Sequence, residues 1–424
     1  MAEPPPSLLT ALRHRRFRLL WAGAATSLLG DGVYLVALAW QAYTISPNPS
    51  GLALLGVCAT VPQLLALVAS GVVSDRYDRR VVLIVADVAR FAVVGAVAVL
   101  VLRGQVTMTH LAVLSVVYGL GAGIAAPAFD ALVPELVPAD DLEQANALEQ
   151  FLRPAMLRLA GPAAGGVLIA VDGAGTAFAL DALTFLVSAA CLMAMGSVAR
   201  PPGADDQDEP SLLREALAGL DYVRRRVWLW GTFGAATVTY LLFIGPTEVL
   251  LPYIVRESLH EGARELGLVL AAGGVGALMA SALVARAGLP RRQLSFMYVC
   301  WAVATLAVAG YGLATSGWQL GVVCALVNGL EAAGTIAWAT TKQRLVPAEL
   351  MGRVSSLDWF ISIAGLPVSF ALTAPAAAAF GARATLVGAG VLGGVITIAA
   401  LFLPGMRDVD GALAPPPAVL EATR

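Results

Sequence analysis

Almost uncharged apolar runs of about 20 residues recur along this chain, each able to cross the roughly 30 Å hydrocarbon layer of a bilayer as a helix. They fall at 18–45, 51–74, 81–102, 108–130, 146–171, 174–196, 227–252, 265–286, 294–314, 318–341, 353–379 and 382–404. Lipid offers the backbone no hydrogen-bond partners, so runs of this kind must be helical. Twelve of them predict an all-α membrane protein with the bilayer as its partner. Composition agrees: only 13% of residues are charged, against the quarter or so that covers a soluble surface.

An even number of spans puts both termini on one side, and cationic residues choose the side. Twenty Lys and Arg fall in the segments that share a face with the termini, and four (Arg103, Arg256, Arg264 and Arg383) fall opposite. The expectation is a multi-pass protein of a bacterial inner membrane with both termini cytoplasmic. A net charge of −2 gives no case for a nucleic-acid partner. Cys58, Cys191, Cys300 and Cys324 are solitary within separate runs and suggest neither a disulfide framework nor a metal site. His14, His110 and His260 lie at helix ends or in loops, which leaves no nucleophile–base pair inside the spans and argues against an enzyme. Lys342, the one lysine, lies outside any P-loop, so ATP drive is not expected.

One polar connector divides the chain. Ala199–Pro210 has no apolar period, and Ser211 can cap an amphipathic helix carrying Leu212, Leu213, Leu217, Leu220 and Val223. The predicted organisation is a cytoplasmic segment 1–17, a bundle 18–196, a linker 197–226, a second bundle 227–404 and a tail 405–424. Leu136–Ala139 recurs as Leu345–Ala348 at an offset of 209 residues, which predicts a duplicated six-helix unit.

Charge inside a span costs about 3 kcal/mol on insertion scales, so each such residue needs a reason to be there. Asp31 lies deep in the first span, Arg158 at similar depth in the fifth, and Glu331 in the tenth. Asp87 and Arg90 are one turn apart and can satisfy each other. Glu248, beside a helix break expected at Pro246, reads as interfacial, and Asp181 as structural. Two motifs complete the pattern: the charged stretch Gly71–Arg80, expected as a tight surface loop, and Gly161-Pro162-Ala163-Ala164-Gly165-Gly166, whose glycines permit close helix contact while the proline bends the span.

The stretch Gly71-Val72-Val73-Ser74-Asp75-Arg76-Tyr77-Asp78-Arg79-Arg80 resembles the loop signature of the major facilitator superfamily. Gly161–Gly166 is similar to the antiporter motif of its drug exporters. With Leu28–Gly32 and Gln343–Val354, the resemblance points to the enterobactin-exporter and macrolide-efflux branch. It implies two pseudo-symmetric six-helix bundles and, as the function, proton-coupled export of small organic molecules by alternating access. The chain would be a monomer with no cofactor, driven by the proton gradient. Asp31, Glu331 and Arg158 would carry coupling, with Asp31 paired to Arg158 and facing Glu331 across a cavity lined by Tyr34, Tyr118, Tyr240 and Trp338. Gly71, Asp75, Arg76, Arg79 and Arg80 would form a conformational latch, in which Asp75 meets the backbone of Gly352–Ser355 and Arg79 or Arg80 meets Asp130. The fourth span lacks the arginine that many proton-coupled exporters carry there, and Arg158 is its candidate substitute. An importer, a lipid flippase or a non-transporting sensor on the same fold are the alternatives.

Overall fold

The computed structural model describes residues 10–138, 141–196 and 220–412. The predicted amphipathic helix of the linker lies mostly outside these residues, with only its end inside them; there Val223 is buried among apolar side chains of the second bundle. Among the described residues, twelve helical stretches are long and apolar enough to cross a membrane. In order they are Arg15–Ile45, Pro49–Arg76, Arg79–Leu102, Met108–Leu136, Gln144–Asp172, Ala174–Met195, Val227–Ser258, Ala263–Ala287, Gln293–Leu313, Gly317–Leu345, Arg353–Phe380 and Ala382–Ala400. They are called the first to twelfth spans below.

The turns explain where the helices stop. The fifth and sixth spans are joined by Gly173 alone, and the eleventh and twelfth by Gly381 alone. Both glycines are left-handed, at φ 86° and 84°, a conformation side chains disfavour. Elsewhere side chains cap helix ends. Glu261 accepts the Gly317 N–H at 2.9 Å, and Asp410 accepts that of Leu294 at 2.8 Å.

Gly71–Arg80 departs from the expected loop. The second span stays helical to Arg76 and the third begins at Arg79, leaving Tyr77 and Asp78 as the link. Nothing after Gly71 breaks the helix, and Asp78 starts the next one by accepting the Arg80 N–H at 2.9 Å. Asp78 is thus an N-cap.

The break expected at Pro246 is also absent, and the seventh span runs through it. Ser369 of the eleventh span inserts its hydroxyl into the ladder one residue earlier. It accepts the Gly245 N–H at 2.8 Å and donates to the Leu241 carbonyl at 2.7 Å. A neighbouring helix thereby satisfies backbone groups that lipid could not.

The fifth span is irregular where the sequence carries two prolines. A π-helical turn, Pro154–Ala160, separates Leu142–Arg153 from Gly161–Asp172. Pro162 lacks the N–H that would bond back to residue 158, which loosens the ladder at Arg158. Beyond it the glycines bring backbones together. A Cβ on Gly161 would lie 2.6 Å from Gly32 Cα, and one on Gly166 would lie 2.8 Å from Gly267 Cα. The antiporter-like motif therefore packs the fifth span against the first on one side and the eighth on the other.

These contacts define the shape. One apolar core joins both bundles in the half of the molecule away from the termini, where Val33, Tyr43 and Leu55 share a cluster with Val249, Leu266 and Tyr311. Toward the face that carries the termini the core splits in two. Phe17, Leu132 and Leu192 belong to one bundle, and Trp228, Leu294 and Met297 to the other. The bundles therefore meet at the far face and part toward the termini, leaving a cleft open on that side.

Polar contacts reinforce the closed face. The Tyr43 hydroxyl donates to the Val249 carbonyl at 2.6 Å. Arg256 donates to the Trp40 carbonyl at 2.9 Å and the Thr44 hydroxyl at 2.7 Å. Gly267→Val would put a Cβ 2.5 Å from the Pro162 carbonyl oxygen. Overpacking of this kind costs about 1–3 kcal/mol. The expected result is a lower thermal midpoint in detergent by scanning fluorimetry, and an unchanged midpoint would contradict the close packing.

Candidate functional site

Charge inside the spans gathers around two arginines. The first is Arg158, which the irregular turn of the fifth span projects into the cleft. Its guanidinium donates to Asn328 Oδ1 at 2.7 Å and lies 3.8 Å from Glu331 Oε2, both on the tenth span. Among the described side chains, this is the ion pair that joins the two bundles. The side chains of Arg158 and Glu331 are 49% and 32% exposed, so the pair faces the cleft and not a sealed core.

Glu248 belongs to the same cluster. It is exposed, within electrostatic reach of both Arg158 and Glu331. The interfacial reading of Glu248 is therefore corrected: it lies at the base of the cleft. Tyr240 borders Glu331 in a pocket of about 50 Å³ shared with Phe243, Tyr298 and Trp301. At about 10–15 Å³ per water, that space takes a few water molecules and not an organic molecule of drug size.

The second centre is Arg90. Its guanidinium donates to Asp87 at 2.7 Å, with both side chains buried, as their spacing predicted. It lies 4.4 Å from the Phe185 ring centroid, and its stem passes Gly121, where a Cβ would lie 3.1 Å from Arg90 Cδ. Asp31 is close by, accepting a hydrogen bond from the Tyr118 hydroxyl, and Arg90 is the cation that acts on it most. Tyr34 stacks on Tyr118 with centroids 4.1 Å apart and planes 6° apart.

Several expected pairings are replaced. Asp31 pairs with Tyr118 and not with Arg158, because Arg158 points across the cleft to the tenth span. Asp31 and Glu331 therefore belong to different clusters and do not face each other as a pair. Tyr34 is 3% exposed and Trp338 is 6% exposed, so both are packed in their bundles and not on the cleft wall. The Trp338 indole donates to Asp358 at 2.9 Å, and Asp358 also binds Lys342. Tyr118 and Tyr240 are half-buried.

The latch is partly visible. Arg79 reaches Glu135, one turn beyond the expected Asp130, and the Ala131 carbonyl at 3.0 Å. Arg80 donates to the Leu192 and Met193 carbonyls, at 2.6 and 3.0 Å, closing the end of the sixth span. Asp130 lies instead within reach of Arg153 and Glu149. The side-chain placement of Gly71–Arg76, Asp75 included, and of Gly352 lies outside what is described.

A twelve-span fold with a cleft between two bundles, ion-paired at its base, defines a transporter of the major facilitator type. Residues 6–418 match the family described as transmembrane secretion effector (MFS_3), and the chain belongs to that family. It is 28% identical to the multidrug efflux pump Tap of Mycolicibacterium fortuitum over 408 residues, which cover 94% of this chain and 98% of that protein. It is 22% identical over 401 residues to macrolide efflux protein A of Streptococcus pyogenes, covering 93% and 97%. Among solved structures, a bacterial homologue of the iron transporter ferroportin in an inward-facing state superposes with a TM-score of 0.67. It is 19% identical, with 91% of this chain and 98% of that one covered, a likeness of fold. The family and fold are those of multi-pass transporters and not of enzymes.

Arg158→Ala removes the ion pair between the bundles. Pulsed electron–electron double resonance between spin labels at the exposed positions 48 and 315 should then show a larger far-face-open population than the parent. An unchanged distance distribution would mean that the pair has no part in closure.

Proposed function

We propose that this chain exports small organic molecules from the cytoplasm by alternating access, driven by protons. The observation that carries this reading is the Arg158–Glu331 pair at the base of an open cleft. It is an ionisable contact between the two bodies that must separate when the far face opens. The excess of cationic residues on the termini face supports a cytoplasmic assignment for that face, which makes the observed cleft inward-open. The efflux relatives favour the outward direction.

In this mechanism the pair keeps the empty carrier closed toward the outside. A substrate entering the cleft engages Arg158 or Glu331 in place of their mutual contact, and the far face becomes free to open. Outside, a proton neutralises Glu331 and releases the substrate. The neutral carboxyl lets the carrier return without cargo, and the proton leaves to the cytoplasm. A ligand shifts such an equilibrium only by its differential affinity for the two states, which substrate and proton here supply through the same carboxylate. Asp31, held by Tyr118 and influenced by Arg90, is the second coupling carboxylate, within the N-terminal bundle. The small pocket beside Tyr240, at about 50 Å³, does not hold such a cargo, and binding is assigned to the cleft.

Asp31→Asn and Glu331→Gln should each abolish uptake of macrolides or cationic dyes into inverted membrane vesicles energised by an imposed pH gradient; Asp31→Asn should retain cargo binding, whereas Glu331→Gln, which mimics the neutral carboxyl, should weaken it. Undiminished coupling in both variants and in the double variant would sink the assignment. Flux in the opposite sense would mean import.

A further inference from the structure

The Arg90 centre holds more acid than its cation can balance. Asp181 of the sixth span is wholly buried, at 0% exposure, and its Oδ2 has no hydrogen-bond partner. Its Oδ1 lies against the first span, 2.5 Å from where a Gly30 Cβ would stand, beside Asp31. The charged and titratable groups around it are Asp31 and Tyr34 of the first span, Asp87 and Arg90 of the third, and Tyr118 of the fourth. Its own helix contributes the Thr184 hydroxyl, which donates to the Asp181 backbone carbonyl at 2.6 Å.

Three carboxyl groups thus gather at the Arg90 guanidinium, and Arg153 acts on Asp31 as a weaker second cation. Asp87 takes the direct ion pair with Arg90. Full ionisation of Asp31 and Asp181 as well would leave two negative charges without a direct cation partner in a low-dielectric interior, which is costly. Among the described residues no three such groups converge as metal ligands. A proton on one of the acids offsets one of these charges. The buried Asp181 Oδ2, which has no hydrogen-bond partner, is where such a proton fits, with the Tyr34 hydroxyl within electrostatic reach.

We propose that Asp181 is a second protonation site of the carrier, linked to Asp31 through their shared proximity to Arg90, so that the two acids together always retain at least one proton. The proton on Asp181 occupies its Oδ2, in a pocket without access to water. Asp31, half-buried, is the member that exchanges with the cleft. Because both respond to one guanidinium, their titrations belong to the pair and not to either residue alone. The role rests on the proton-driven reading given above and extends it to a residue off the cleft.

Infrared spectroscopy of the full chain in lipid nanodiscs tests this directly, since a neutral carboxyl absorbs apart from a carboxylate. At neutral pH the wild type should show an acid carbonyl band that Asp181→Asn removes. Arg90→Gln, which withdraws the shared cation, should increase the acid signal by about one carboxyl. If the Asp181→Asn variant does not fold, the wild type grown with 13C-labelled aspartate must show an isotope-shifted acid band that persists at pH values where exposed carboxylates have ionised. Absence of that band, its indifference to Asp181→Asn, or its loss on adding sodium at constant pH would overturn the proposal. The band does not depend on flux. Its absence alongside proton-driven export would therefore reject Asp181 alone, whereas its presence with export indifferent to the proton gradient would reject the coupling reading.

Discussion

A charged side chain within a bilayer is tolerable only where protein supplies its counter-charge, and here two arginines organise that compensation. Arg90 is buried inside the N-terminal bundle with Asp87, Asp31 and Asp181 around it. Arg158 reaches from the N-terminal bundle to Glu331 of the other, with Glu248 nearby. Both centres carry more carboxylates than guanidinium groups. In the proposed mechanism that excess is relieved by protonation, and the position of Arg158 between the bundles is what would tie protonation to movement.

The backbone prepares this arrangement. Glycine pairs Gly32–Gly161 and Gly166–Gly267 hold the fifth span against its neighbours in both bundles. Between the two prolines the helix takes a π turn that carries Arg158. Tight packing on one side of that turn and a cleft on the other give the guanidinium a fixed base and let its head reach Asn328 and Glu331 of the tenth span. Among the described residues the apolar core that joins the bundles lies toward the far face, so a rocking of one bundle against the other would exchange a defined set of contacts and leave each bundle's own core intact.

The spans were readable from sequence because a run of about 20 apolar residues has few alternatives in lipid. Helix facing was not. Spans that are apolar all round carry almost no amphipathic signal, so nothing in the sequence said that Asp181 turns toward Gly30, or that Glu248 turns into the cleft. Trp338 was placed on the cavity wall by its span and proved to be core, held by Asp358. Asp87 and Arg90 were correctly paired because a one-turn spacing is local. The partner of Arg158 is not legible in the sequence, since its direction depends on a π turn that the sequence signals only as two flanking prolines. Ser369, which repairs the seventh span near Pro246, left no sequence signal at all.

The most direct test of the account is transport by the purified wild-type chain in proteoliposomes with an imposed pH gradient and a macrolide or cationic dye as cargo. The account predicts uphill movement of the cargo opposite to the protons, with matching alkalinisation of the acidic side, both abolished by a protonophore. Cargo movement that is unaffected when the gradient is collapsed would contradict it.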